Sequence, residues 1–96
     1  MAKGYWVFQA TVNDPETYKK YVTADGPVFA KFGAKFLVRG GAHELVEGKA
    51  RARQVVIEFD SYEQALACYR SPEYQAIAKY RFAAADADVV IVRGVD

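Results

Sequence analysis

Tyr5-Trp-Val-Phe-Gln-Ala-Thr-Val12-Asn-Asp-Pro-Glu16 reads as a strand running directly into the start of a helix, and it decides the fold. Its first part is rich in aromatic and β-branched residues and alternates. Trp6, Phe8, Ala10 and Val12 share one face, and Tyr5, Val7, Gln9 and Thr11 the other. Asn13 or Asp14 can then cap a helix, Pro15 suits its first position, and Glu16 suits the positive end of its dipole. Arg51-Ala-Arg-Gln-Val-Val-Ile-Glu-Phe59-Asp-Ser61 repeats the sentence later in the chain. Val55, Ile57 and Phe59 alternate with Gln54, Val56 and Glu58. Asp60 or Ser61 follows as a cap, with Glu63-Gln64 in the first turn.

Working outward, Tyr18, Tyr21, Val22, Phe29 and Phe32 recur at helical spacing after Pro15. Gly26-Pro27 interrupts them and predicts a break or kink, with a short helical piece resuming to Phe32. Gly33 is placed to end that piece. Ala34 to Arg39 reads as the second strand, closed by Gly40-Gly41, and residues 42–50 as a long, partly extended hairpin arm. In the second half Ala65, Leu66 and Tyr69 form an apolar stripe. Ser71-Pro72-Glu73 restarts a helix whose stripe is Tyr74, Ile77, Ala78 and Phe82. Asp86 to Arg93 is the last strand, and its unbroken Val89-Val-Ile-Val92 suits cover on both faces.

The order β-α-β-β-α-β over residues 1–96 is one α+β domain, ferredoxin-like, with an antiparallel sheet and both helices on one face. The other face carries Tyr5, Val7, Leu37 and Val56 together with Gln9, Thr11, Lys35, Arg39, Gln54 and Glu58. Its simplest cover is the same face of a second copy, a homodimer closing a barrel. The apolar fraction of 52% and aromatic fraction of 15% fit a chain that hides large side chains in such an interface.

Thirteen Lys and Arg against 12 Asp and Glu leave a net charge of +1, which provides no footprint for nucleic acid. Lys49, Arg51 and Arg53 share one side of an extended segment and read as a solvated hairpin arm. No apolar run reaches membrane-spanning length and no signal peptide opens the chain, so the expected location is the cytoplasm. Cys68 is the single cysteine, which excludes a disulfide within the chain, and it reads as a buried inert thiol.

Four stretches are similar to domain-of-unknown-function family 1330: Phe36-Leu-Val-Arg-Gly-Gly41, Leu45-Val-Glu-Gly48, Glu58-Phe-Asp-Ser61, and Tyr69-Arg-Ser-Pro-Glu-Tyr-Gln75 followed by Arg81. The last is the most specific, and the likeness runs over nearly the whole chain. The resemblance implies a small bacterial protein of the dimeric α+β barrel superfamily. That superfamily also holds cofactor-free monooxygenases, muconolactone isomerases, haem-binding chlorite dismutase-like proteins and stress-response proteins. It implies a fold and a dimer but assigns no catalytic residues.

Candidate chemistry therefore rests on residue types. Arg81 is a planar fork suited to a carboxylate, or else the partner of an internal acid such as Asp60 or Glu73. Arg39, beside the two glycines, suits anion anchoring at a cavity mouth, or a pair with Glu58 across the hairpin. Tyr69 and Tyr74 can line a pocket and donate to a substrate oxygen, or pack in the core. Glu58 and the lone His43 are the candidate bases, although a single loop histidine ordinarily faces solvent. No nucleophilic triad, phosphate loop or nucleotide fingerprint is present, and no metal or cofactor is implied; His43 with Glu44 or Glu47 is a thin ligand set. The expected function is a cofactor-independent oxygenase, isomerase or lyase acting on a small carboxylate- or carbonyl-bearing molecule. The alternative is a non-catalytic ligand-binding or stress-response module.

Overall fold

The computed structural model describes residues 2–96. The elements are β1 (Gly4–Val12), α1 (Pro15–Lys31), β2 (Lys35–Arg39), β3 (Arg53–Phe59), α2 (Tyr62–Arg70), α3 (Pro72–Ala84) and β4 (Ala85–Arg93). The strands form one sheet in the order β2-β3-β1-β4, and every neighbouring pair is antiparallel. This is the ferredoxin-like arrangement of two interleaved βαβ units expected from the element order.

The caps form where the sequence places them. The Asp14 carboxylate accepts from the Thr17 N–H and from the Thr17 hydroxyl at 2.7 Å. Ser61 caps α2 through the Gln64 N–H. Ser71 does two jobs: its hydroxyl donates to the Cys68 carbonyl at the end of α2 and accepts from the Tyr74 N–H at the start of α3. At the other end of α1, Gly33 takes φ +68°, which allows its N–H to reach the Ala30 carbonyl and the Ala34 N–H to reach that of Phe29.

Trp6, Phe8 and Ala10 on β1 and Val55, Ile57 and Phe59 on β3 face the helices and are buried. Trp6 is the hub. Its ring meets Phe29 of α1 and Tyr74 of α3 edge-on at 5.1 and 5.0 Å, and its Nε1–H donates to the Ala65 carbonyl at 2.9 Å. Cys68 is buried with them, and desolvation pushes its thiol up to about 12, so it stays protonated.

Three local expectations are corrected. α1 continues unbroken through Gly26-Pro27. Proline forfeits a single helical N–H bond, and packing of Tyr18, Tyr21, Asp25 and Phe29 on one buried stripe outweighs that loss. In α3 the buried position is Arg81, 4% exposed, while Phe82 is 56% exposed. In β2 the register shifts between Phe36 and Val38, so Phe36 opposes Ile57 but Val38 opposes Val56. That bulge reverses the alternation, and Arg39 lands on the helix side opposite Val55.

Apart from Arg39, the open face of the sheet keeps its expected polar residues. Gln9 accepts from Gln54 and from the Arg51 N–H, and the Tyr5 hydroxyl donates to Glu58 at 3.3 Å. Its apolar members are uncovered: Val7, Leu37, Val90 and Val92 are 44–58% exposed.

Candidate functional site

A pocket lies between α1 and the β2-β3-β1 part of the sheet. Trp6, Phe8, Phe29, Phe36 and Ile57 make its apolar wall, and Asp25, Arg39, Arg53, Tyr18 and Tyr21 bring polar groups to it. α1 delivers Tyr18, Tyr21 and Asp25 on one stripe, three and then four residues apart. β2 and β3 deliver the arginines from opposite sides of the hairpin. Arg53 fits because Gly40 has no side chain: a Cβ there would lie 2.6 Å from the Arg53 guanidinium. Gly40 also holds φ +72°, and its N–H donates to the Gln54 carbonyl.

Asp25 is the chemically distinctive group. It is 4% exposed, and its carboxylate accepts from Arg39 Nη2 at 3.3 Å. Desolvation raises its pKa to about 6, with Arg39 and Arg53 opposing the rise. Arg39 in turn stacks on the Phe36 ring at 4.1 Å from its centroid, with its side chain 42% exposed, so it forms the solvent-side wall. Arg53 lies 5.6 Å from the Tyr18 ring centroid, and its buried Nε–H meets no acceptor among the described residues. Tyr21 and Tyr74 join hydroxyl to hydroxyl at 2.7 Å, and burial keeps both phenols protonated well past neutrality. A protonatable carboxylate facing two guanidinium groups, in an aromatic chamber, can take a proton from a bound molecule and stabilise the anion left behind. The enclosed space is about 20 Å³, room for about one water.

The structure distributes the sequence-predicted residues differently from expectation. Arg39 lines this pocket, but pairs with Asp25 rather than with Glu58, because the β2 bulge turns it to the helix side. Glu58 lies on the opposite face of the sheet, with Tyr5 and Lys3 as its neighbours. His43 sits in the exposed loop, its Nδ1 3.1 Å from the Gly41 carbonyl oxygen. The two candidate bases therefore do not converge on the arginines. Tyr74 backs the pocket through Tyr21, and Tyr69 packs against Trp6 at 5.5 Å. Arg81 is buried but pairs with neither Asp60 nor Glu73, which are engaged by Lys3 and Lys31. Arg53, expected on a solvated arm, faces the pocket. Asp25 was hidden by the expected break at Gly26; carrying the helical period through it from Tyr18 and Tyr21 would have exposed an acid on a buried stripe.

Among the described residues no helix is long and apolar enough to cross a membrane, and no three His, Cys, Asp or Glu side chains are grouped to hold a metal ion.

The family model for the domain of unknown function DUF1330 matches residues 3–95. No curated protein sequence matches the chain. Among solved structures, a protein of unknown function from Rhodopseudomonas palustris superposes with a TM-score of 0.79 at 19% identity, over 99% of this chain and 84% of that one. A dimeric ferredoxin-like protein of unknown function from Thermobifida fusca gives 0.65 at 17% identity, over 98% and 92%. SnoaB, a cofactor-independent oxygenase from Streptomyces nogalater, gives 0.63 at 12% identity, over 100% and 96%. At these identities the likeness establishes the ferredoxin-like fold, and no more.

Proposed function

The chain belongs to the DUF1330 family, and from that premise we propose that it is a cofactor-independent enzyme whose first step is removal of a proton by Asp25 from a small carbonyl- or carboxylate-bearing substrate. The observation that carries this reading is the buried Asp25 carboxyl, poised near pH 6 against Arg39 and Arg53 in an aromatic pocket. SnoaB, similar in fold, is a cofactor-independent oxygenase.

In this reading the substrate's apolar part stacks on the Phe36 and Trp6 side of the chamber. Its oxygen accepts from the free Arg53 Nε–H. The filled chamber demands that Arg39 swing off Asp25 to admit a ligand larger than water. That motion has a chemical consequence. Arg39 holds the Asp25 pKa down, so turning the guanidinium to the substrate oxygen makes Asp25 more basic as the substrate arrives. The proton then passes from the carbon beside the carbonyl to the Asp25 carboxylate, and the enolate charge falls between Arg39 and Arg53.

The test is solvent deuterium exchange at the acidic carbon of acetoacetate and phenylpyruvate, followed by proton NMR. The wild-type protein accelerates exchange, and Asp25→Asn lowers the rate on the order of 100-fold or more. Saturable binding of either compound without exchange assigns the pocket to ligand holding instead. No binding and no exchange removes the proposal.

The open face bears on the assembly. Val7 and Val90 are register partners at its centre and are 46% and 58% exposed. Large uncovered apolar patches mark interfaces, and the Thermobifida fusca relative in fold is dimeric. A second copy laid face to face covers these valines. Light scattering on the purified protein should give a dimer mass, and Val90→Lys should shift it to the monomer; a wild-type monomer overturns this assembly.

A further inference from the structure

The fold has a second charged cavity, on the far side of β1 from Asp25, that the proton-transfer reading does not use. Arg81, near the end of α3, is 4% exposed. Its guanidinium carbon lies 5.4 Å from the Phe8 ring, 5.8 Å from Tyr21 and 5.0 Å from Phe82. The ion pairs of the described residues are made by Lys3, Lys31, Arg39, Arg51 and Arg93; Arg81 makes none. Its Nε–H is buried and meets no acceptor among the described residues, the Tyr74 hydroxyl being the one polar side-chain group that engages the guanidinium. Aromatic faces offset part of the desolvation of a buried cation, but they accept no N–H bond in its plane, and a buried charge without a counter-charge is costly.

Arg81 lines a groove of about 440 Å³ that opens to solvent between α3 and the edge strand β4. Ala85, Ala87 and Val89, on alternate positions of β4, give one wall, and Tyr69 and Phe82 give aromatic surface opposite. Two other charged side chains reach the groove. Arg51 is already bonded to Asp88 at 2.8 Å, and Asp86 accepts from Asn13 at 3.3 Å. The groove therefore presents one uncompensated positive charge at its floor, beside an apolar strip. Asp86 at the rim disfavours a doubly charged guest.

We infer that this groove is a binding site for a small monocarboxylate with an apolar body, its carboxylate held by the Arg81 fork and its body laid along Ala85, Ala87 and Val89. A planar carboxylate matches the guanidinium fork and supplies the acceptor that Arg81 Nε lacks. This places Arg81, downstream of the Tyr69–Gln75 motif, in a site lined by other residues than the Asp25 pocket.

The test compares benzoate with its neutral isostere benzamide, each titrated into the full-length protein and followed by amide chemical shifts. Benzoate should produce saturable shifts at Phe82, Ala85, Ala87 and Val89, and benzamide should not. Arg81→Met should weaken benzoate at least 10-fold. Asp25→Asn should leave those shifts in place, which separates this site from the proton-transfer pocket. The comparison of benzoate with benzamide on the wild-type protein stands if Arg81→Met does not fold. Equal shifts from both compounds overturn the inference, as do benzoate shifts confined to Tyr18, Asp25 and Val55. Unchanged benzoate affinity in a folded Arg81→Met protein also overturns it. Inorganic phosphate binding as tightly as benzoate overturns the monocarboxylate assignment.

Discussion

The two sides of β1 bury opposite charges in opposite ways. On the β3-β2 side, α1 buries an acid; Arg39 pairs with it from the sheet and Arg53 lines the same pocket. On the β4 side, α3 buries a guanidinium, and no acid among the described residues pairs with it. Both charges sit on helix stripes otherwise made of aromatic and small residues, so burial alone does not distinguish them. The difference lies in what each charge can do. A carboxyl escapes desolvation by taking a proton, and Asp25 is raised to where it does so near pH 6. A guanidinium has no such exit and keeps its charge. One side is therefore suited to moving a proton, and the other to holding an anion.

The sharpest way to break this contrast is to remove the residue both sides share. Trp6 touches Phe29, Tyr69 and Tyr74, and so ties α1, α2 and α3 to one strand. Trp6→Ala should cost about 3–5 kcal/mol and unfold both sides in one transition by urea denaturation. Two separate transitions would show that the sides are independent.

The contrast is sharpened by pH. The Asp25 pKa is raised from 3.8 to about 6 on folding, so the neutral acid is the form the fold prefers. Its contribution is full below the unfolded value and is lost as pH rises through the folded one. Relative to Asp25→Asn, wild-type stability should fall by about 3 kcal/mol between about pH 3.5 and 7. Arg81→Met compared with wild type should show no such slope, because Arg81 does not titrate there. A flat difference for Asp25→Asn would contradict the burial of an ionisable acid.

A smaller effect isolates Arg39. Its charge lowers the Asp25 pKa, so Arg39→Met should move the midpoint of the exchange-rate profile upward, by roughly 1 unit or less for so exposed a partner. A downward shift would mean that Arg39 acts on Asp25 other than through its charge.

Much of the fold was legible because it rests on local chemistry. Asp14, Ser61 and Ser71 announce their helices, and the alternation of Trp6, Phe8 and Ala10 announces the buried face. What was not legible depended on one-residue offsets. An extra residue in β2 carries no mark in Phe36-Leu-Val-Arg39, all of which suit a regular strand, yet it moves Arg39 across the sheet. Gly26-Pro27 looks like a break in isolation, and only tertiary packing of Phe29 beneath α1 carries the helix past it. Arg81-Phe82 reads most simply with the phenylalanine inside, and a longer register on α3 inverts it. Each offset fell on a candidate site: the expected break at Gly26 passed over Asp25, the regular strand put Arg39 on the other face, and the α3 stripe took Phe82 where Arg81 is buried. The bulge and the buried charges are the features that local pattern alone does not encode.

Carbon-13 NMR of the aspartate side-chain carboxyls against pH reads out whether Asp25 is a base poised near neutrality. One aspartate resonance, absent from Asp25→Asn, should titrate with a midpoint near 6. A midpoint near the ordinary 3.8 would mean that the carboxyl is solvated or firmly ion-paired, and the account of the pocket would fail.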